Sequence, residues 1–153
     1  MRRVKTVSSY VVAGACLFLA AAGLPRQADS QAASPATSQP SLDYDFFRNK
    51  VEPVFLAKRP GHTRCVVCHT VNNAPFHLVP LSPGSTTWSE EQSRRNFQLI
   101  QKVAVPGFEG SKLVTHPLAE EAGGDPHHGG GQQFASQEDP AWQTLKAFVL
   151  GAR

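Results

Sequence analysis

Apolar residues recur at helical spacing in three segments of the chain, and each segment has its own start signal. Ser41 is the expected cap of the first helix, which Pro53 should bend or end early. A capping box, Ser-Glu-Glu-Gln, opens the second at Ser89. Asp139 caps the third, with Pro140 at its first position. The apolar positions are Leu42, Phe46, Val51, Val54 and Phe55, then Phe97, Ile100, Val103 and Ala104, then Trp142, Leu145 and Val149.

Long segments rich in Gly, Pro, Ser and Asn separate these helices. A Pro-Gly turn at residues 60–61 precedes a short helix that we expect over residues 64–70. Residues 71–88 and 107–138 are expected to be loops. No segment alternates as a strand does, so the predicted fold is all-α, with a few short helices and long loops. Such loops make a weak core, which favours a large buried cofactor.

The start of the chain has the pattern of an export signal. Basic residues precede an apolar run over residues 11–22 that ends in three alanines. A retained membrane anchor is the alternative, but the run is shorter than the roughly 20 residues that a spanning helix needs. We expect residues 1–22 to be a cleaved signal peptide, 23–40 a disordered linker and 41–153 the folded domain. The mature protein would be periplasmic or extracellular, with no membrane span.

The net charge argues against nucleic acid as a partner. The chain has 15 basic and 12 acidic residues, a formal charge of +3. Arg2, Arg3 and Lys5 lie in the signal segment, which holds no acid, so the rest of the chain is neutral. A neutral protein has no overall attraction to a polyanion.

One motif carries specific chemistry. Cys65, Cys68 and His69 form Cys-x-x-Cys-His, the attachment signature of c-type haem. On a helix, these positions share one face, so both thiols can form thioethers to the porphyrin while His69 binds the iron. Zinc sites and redox disulfides also use Cys-x-x-Cys. Zinc would need a second pair of ligands and a thioredoxin-like site would need alternating strands, and the chain offers neither.

On these residues the chain resembles the single-haem cytochromes c, and more narrowly the planctomycete-type cytochrome c domains. The resemblance rests on Val51-Glu-Pro-Val-Phe55, the haem motif, residues 111–118 and His128-Gly-Gly-Gly131. It implies one covalently bound haem c and an all-α fold whose first and last helices pack near one haem edge. It also implies electron transfer with redox proteins outside the cytoplasmic membrane, and no enzymatic activity.

The sixth iron ligand is the open question. The only Met is Met1, which leaves with the signal, so no Met can lie opposite His69. His62 and His77 lie close to the motif in sequence, which argues against either of them reaching the opposite face. The remaining candidates are His116, His127, His128 and Lys112, or an open position.

We favour His128 as the sixth ligand, because three glycines follow it and let the backbone approach the porphyrin. His116 is the alternative, although Pro117 and Leu118 indicate that it lies in a packed segment. An open or displaceable sixth position would instead make the protein a peroxidase-like enzyme or a gas sensor.

The surroundings of the haem motif are less specified by the sequence. His69 should donate its second ring proton to a backbone carbonyl near Pro75 or Pro80. Several large apolar residues could either line the haem pocket or belong to the ordinary core: Trp88, Phe97, Trp142, Phe148, Phe76, Leu78, Leu113 and Leu118.

Overall fold

The computed structural model describes residues 39–71 and 76–153. The α-helices of this part are α1 (Tyr44–Phe46), α2 (Glu52–Leu56), α3 (Cys65–His69), α4 (Glu90–Ile100), α5 (Lys112–Thr115) and α6 (Pro140–Val149), with a π-helical turn at Phe47–Val51 and a 3-10 turn at Glu120–Ala122. Among these residues the only strand-like pairing is one isolated bridge between Leu118 and Phe134. The fold is therefore helical, as predicted. The expected signal peptide and most of the linker lie outside the described residues.

The first helical segment runs without a break through α1, the π-helical turn and α2. Asp43, rather than Ser41, caps it by accepting a hydrogen bond from the N–H of Phe46 at 2.7 Å. Pro53 does not end the segment, which continues to Leu56. The turn before Pro53 is π-helical, and a wider turn of this kind leaves space for a proline ring that would clash in a regular α-helix.

The later helices begin where the sequence placed them. Ser89 and Gln92 form the predicted capping box at the start of α4. Asp139 accepts hydrogen bonds from the first turn of α6, and Pro140 is its first residue. Helix α4 ends at Ile100, and the chain then turns through residues 101–103. Ala104 is nevertheless buried, so the predicted apolar stripe reaches the core although the helix is shorter.

The region that the sequence predicted as one long loop, residues 107–138, holds more structure than expected. It contains α5 and the 3-10 turn, and the bridge pairs Leu118 with Phe134 within it. The N–H of Ala119 donates to the carbonyl of Phe134 at 2.8 Å, and the N–H of Phe134 donates to the carbonyl of Pro117 at 3.0 Å. A helix of four residues is too short to leave a periodic pattern in the sequence, and it depends on tertiary contacts.

The apolar core joins the first helical segment to α4 and α6. Phe47 and Phe148 are fully buried, with ring centroids 5.8 Å apart. Phe97 of α4 lies 5.5 Å from Phe47 and 6.4 Å from Phe148. Trp142 of α6 donates from its ring N–H to the carbonyl of Val114 at 3.0 Å. The first and last helices therefore pack together, as expected. In the described part of the chain, no helix has the length and apolarity needed to cross a membrane.

One carboxylate lies inside this core. Glu52 is only 5% exposed and accepts a hydrogen bond from the hydroxyl of Ser93 at 2.9 Å. Its other oxygen has no hydrogen-bond partner among the described residues. Burial raises the pKa of Glu52, while the Ser93 hydroxyl and the charge of Arg48 oppose that rise. The charged form is therefore less favourable in the folded protein than in the unfolded chain.

Replacing Glu52 by Gln should remove one pH-dependent contribution to stability. Because the folded pKa lies above the unfolded value of 4.5, Glu52 lowers the free energy of unfolding as the pH rises from 4.5 through the folded pKa. The difference in the free energy of unfolding between Glu52→Gln and the original protein should shift in favour of the variant over that rise. Chemical unfolding across this pH range measures it. The exposed Glu91→Gln is the control, and a difference that does not vary with pH would contradict the prediction.

Candidate functional site

Helix α3 presents both thiols and the imidazole of the haem motif on one side. It has five residues, Cys65–His69, and matches the predicted helix without its two flanking residues. Val66 is buried and fixes the helix to the core, whereas Val67 is 47% exposed. Cys65 and Cys68 are free thiols and partly buried. Burial raises the pKa of Cys65, so its thiol keeps its proton at neutral pH.

A backbone carbonyl orients the imidazole of His69. Nδ1 of His69 lies 3.2 Å from the carbonyl oxygen of Phe76, the residue directly after Pro75. Since a carbonyl can only accept, Nδ1 carries the proton and Nε2 keeps a free electron pair. The ring also stacks on Phe76, with centroids 4.3 Å apart. Burial lowers the pKa of His69, although the hydrogen bond to the Phe76 carbonyl opposes this shift. The ring is therefore neutral and can offer the electron pair of Nε2 to a metal ion.

A backbone carbonyl also orients a second imidazole, that of His128. Nδ1 of His128 donates to the carbonyl of Gly131 at 2.6 Å, which leaves Nε2 free. The N–H of Gly131 donates back to the carbonyl of His128 at 2.8 Å and closes the turn. Gly131 has φ +77°, a conformation that favours glycine. The glycines after His128 therefore build the turn that orients the ring.

The rings of His69 and His128 lie at a separation that suits one metal ion. Their centroids are 6.3 Å apart and their planes differ by 24°. Two imidazoles that bind one ion from opposite sides, with bonds of about 2.0–2.1 Å, have centroids roughly 6 Å apart. The sequence analysis predicted that His69 and His128 share one site, and in the structure their rings lie 6.3 Å apart.

His116 joins this pair, although the sequence favoured a packed position for it. Leu118 is indeed buried, but the ring of His116 reaches His128, with centroids 5.0 Å apart and planes nearly perpendicular. Nδ1 of His116 lies 3.1 Å from Oδ2 of Asp125. Lys112 donates to the same oxygen at 2.7 Å, which commits its ammonium group and argues against Lys112 as an iron ligand.

Two adjoining cavities lie around these imidazoles. The smaller has a volume of about 210 Å³ and the larger about 450 Å³. The larger is within the range of about 300–1,000 Å³ that is typical of ligand sites. They share the residues Cys65, His69, His116, His128 and Gln133. Most other walls of the smaller cavity are apolar, namely Phe55, Phe76, Val103, Leu113, Pro117, Phe134 and Leu145.

Several candidates from the sequence stay outside this site. Within residues 39–71 and 76–153, the cavities are not lined by His62, His77 or His127. Of the eight apolar candidates for the pocket wall, only Phe76 and Leu113 contribute to it. Five others lie buried in the core, namely Leu78, Trp88, Leu118, Trp142 and Phe148. Burial of a large apolar side chain thus does not by itself place it in the wall of the cavity.

Two residues of the site, Phe134 and Gln133, had little signal in the sequence, whereas Phe55 was expected only as part of the first apolar helix. Phe55 and Phe134 are cavity walls from distant parts of the chain. Gln133 is buried and donates to the carbonyls of Gly130 and Gly131 at 3.2 and 3.3 Å, which supports the turn that orients His128. The pairing of Asp125 with His116 could be suspected from Lys112 and His116, which lie four apart on one helical face.

The zinc alternative finds no support in the donor geometry. Across the part of the chain that the structure describes, no three His, Cys, Asp or Glu side chains converge closely enough to hold a metal ion by themselves. A metal ion at this site would therefore need further donors from outside the protein. The four nitrogens of a porphyrin would be such donors.

The chain matches no protein-family model, no curated protein and no solved structure. Its function therefore has to be inferred from these residues.

Proposed function

We propose that this protein is an exported single-haem c-type cytochrome of the cytochrome c family that carries one electron at a time between redox proteins. The observation that supports this most is the arrangement of His69 and His128. Each has Nδ1 committed to a backbone carbonyl and Nε2 free, and their rings lie 6.3 Å apart beside Cys65 and Cys68. A haem held there would supply a ferric–ferrous couple.

The residues present suit a haem in three respects. Cys65 and Cys68 are free thiols on one helix, as two thioether bonds require. The walls of the smaller cavity are largely aromatic and aliphatic, which suits a flat apolar ring and excludes water from it. The imidazoles of His69 and His128 are fixed by hydrogen bonds, so they would hold both axial positions without rearrangement.

Ligation by two imidazoles favours electron transfer over the alternatives, a peroxidase-like enzyme or a gas sensor. With both axial positions taken, no substrate needs to reach the iron. The imidazoles would also give a lower potential than a Met ligand would at similar burial. The protein's part is to fix both rings and keep the surroundings constant while the charge changes.

An exposed apolar edge beside α3 provides a place for the redox partner. Val67 and Val71 are 47% and 48% exposed and line the larger cavity, next to the thiols. Exposed valines at the rim of a cofactor site allow a partner protein to approach closely and leave quickly, because the contact is small. The neutral charge expected for the mature chain fits docking through such a local patch.

The absorption spectrum tests this proposal most directly. The purified protein should be six-coordinate and low-spin in both the ferric and the ferrous state, and carbon monoxide should leave the ferrous spectrum unchanged. Magnetic spectra should report two imidazole ligands. A high-spin ferrous form that binds carbon monoxide readily would contradict electron transfer and favour a gas sensor or an enzyme.

Substitution of the two thiols should separate covalent attachment from folding. Cys65→Ala or Cys68→Ala should keep at most one thioether, which the absorption band of the denatured, pyridine-treated haem measures. The double variant should lose covalent haem entirely and unfold, because a domain with so many loops has little core without it. Cooperative unfolding of a haem-free double variant would contradict this expectation.

The glycines after His128 allow a test with a matched control. A Cβ at Gly130 would lie 3.8 Å from both Cys68 Sγ and His128 Cε1, whereas a Cβ at Gly129 meets nothing within 4 Å. Neither glycine has positive φ, so both positions accept a side chain. Both glycines line the larger cavity, but only a side chain at Gly130 would touch Cys68 and His128. Gly130→Val should therefore lower the haem content per protein severalfold more than Gly129→Val does. Equal haem content in the two variants would argue against a haem between Cys68 and His128.

A further inference from the structure

His116 is a further imidazole of the site, next to His128. It lines both cavities together with His128, and the two rings are perpendicular, with centroids 5.0 Å apart. An electron carrier with two axial imidazoles needs only one of these two rings. The second ring, that of His116, still lies next to His128 and has its own hydrogen-bond partner, Asp125.

Asp125 fixes which nitrogen His116 offers. Its Oδ2 accepts from Nδ1 of His116 at 3.1 Å and from Nζ of Lys112 at 2.7 Å. The contact with Lys112 is an ion pair, in which the carboxylate of Asp125 carries its negative charge. The backbone N–H of Asp125 donates to the carbonyl of Thr115 at 3.0 Å, which holds the carboxylate at the end of α5. The proton of His116 thus stays on Nδ1, and Nε2 is free to bind a metal.

The two rings differ in how firmly their backbone is held. His116 directly follows α5, and its N–H donates to the carbonyl of Lys112 at 3.1 Å. His128 lies outside any helix, directly before Gly129 and Gly130, whose added Cβ atoms would meet no atom closer than 3.8 Å. The hydrogen bonds of Gly131 and Gln133 close the turn at His128. Gly129 and Gly130 impose little restriction on the backbone, so breaking those bonds would let His128 move away while α5 still holds His116.

We propose that His116 is a reserve axial ligand, held ready by Asp125, which takes the sixth position when His128 leaves it. This rests on the proposed function, because it concerns the ligands of the same haem. The exchange would replace an imidazole bonded to a neutral carbonyl by one bonded to a carboxylate. The second is the stronger electron donor and stabilises the ferric state, so the exchange would lower the reduction potential.

The spectrum of His128→Ala tests the exchange. It should remain six-coordinate and low-spin, with magnetic spectra of two imidazoles, and its ferrous form should bind carbon monoxide only slowly. Adding His116→Ala should make the haem high-spin and reactive to carbon monoxide. Adding His127→Ala instead is the matched control, because that exposed residue lines neither cavity, and this double variant should stay low-spin.

Asp125→Asn tests the part that Asp125 plays. In the His128→Ala background it should raise the potential and weaken the binding of His116 by about 10–100-fold, which faster carbon monoxide binding would report. The same substitution in the original protein should shift the potential less, because His128 is the ligand there. Equal shifts in both backgrounds would mean either that Asp125 acts only through its charge or that His116 is already the ligand in the original protein, and either result would overturn the proposal of a reserve ligand.

The two proposals fail in different ways. If the original protein is low-spin but His128→Ala is high-spin and binds carbon monoxide as fast as the variant without both histidines, the reserve ligand is wrong and the cytochrome stands. If the original protein is itself high-spin, the proposed ligation is wrong. His128→Leu gives the same comparison should His128→Ala be recovered without haem.

Discussion

The hydrogen bonds at Nδ1 of three histidines determine what this site can bind. His69 donates to a carbonyl, His128 donates to another, and His116 donates to a carboxylate. In each ring the proton is thereby placed on the same nitrogen, and the same other nitrogen is left with a free electron pair. Each ring can therefore bind a metal ion through Nε2 while it keeps its hydrogen bond at Nδ1, which supports the proposed ligation of a haem.

Those hydrogen bonds depend on loops, and the loops depend on a small set of tertiary contacts. The turn at His128 is closed by Gly131 and supported by the buried side chain of Gln133. Arg59, which lies between α2 and α3, donates to the carbonyl of Gln133 at 3.1 Å, pairs with Asp139 and lies over the ring of Phe134 at 4.7 Å. One arginine therefore joins the loop of His128 to the start of the last helix. Such a contact restrains a loop that has no regular secondary structure of its own.

The helices supply the rigid frame for these loops. Phe47 and Phe148 connect the first and last helical segments, and Trp142 connects the last helix to α5 through the carbonyl of Val114. Because α5 ends next to His116, the packing of α6 also fixes the position of that imidazole. The candidate site thus depends on the packing of the whole domain, although its motif occupies only five residues.

The sequence by itself determined the helices with strong local signals and the chemistry of one motif. The capping residues Ser89 and Asp139 set the starts of α4 and α6, and the Cys-x-x-Cys-His spacing placed three side chains on one helix face, because both effects act within a turn of the chain. Only the tertiary structure decided which carbonyl orients His69, that His116 reaches His128, and that Phe55 and Phe134 rather than the tryptophans line the cavity. Those contacts join residues far apart in the chain, and their partners are backbone atoms or common apolar side chains. Local patterns carry no record of such pairings, since they arise when the helices pack.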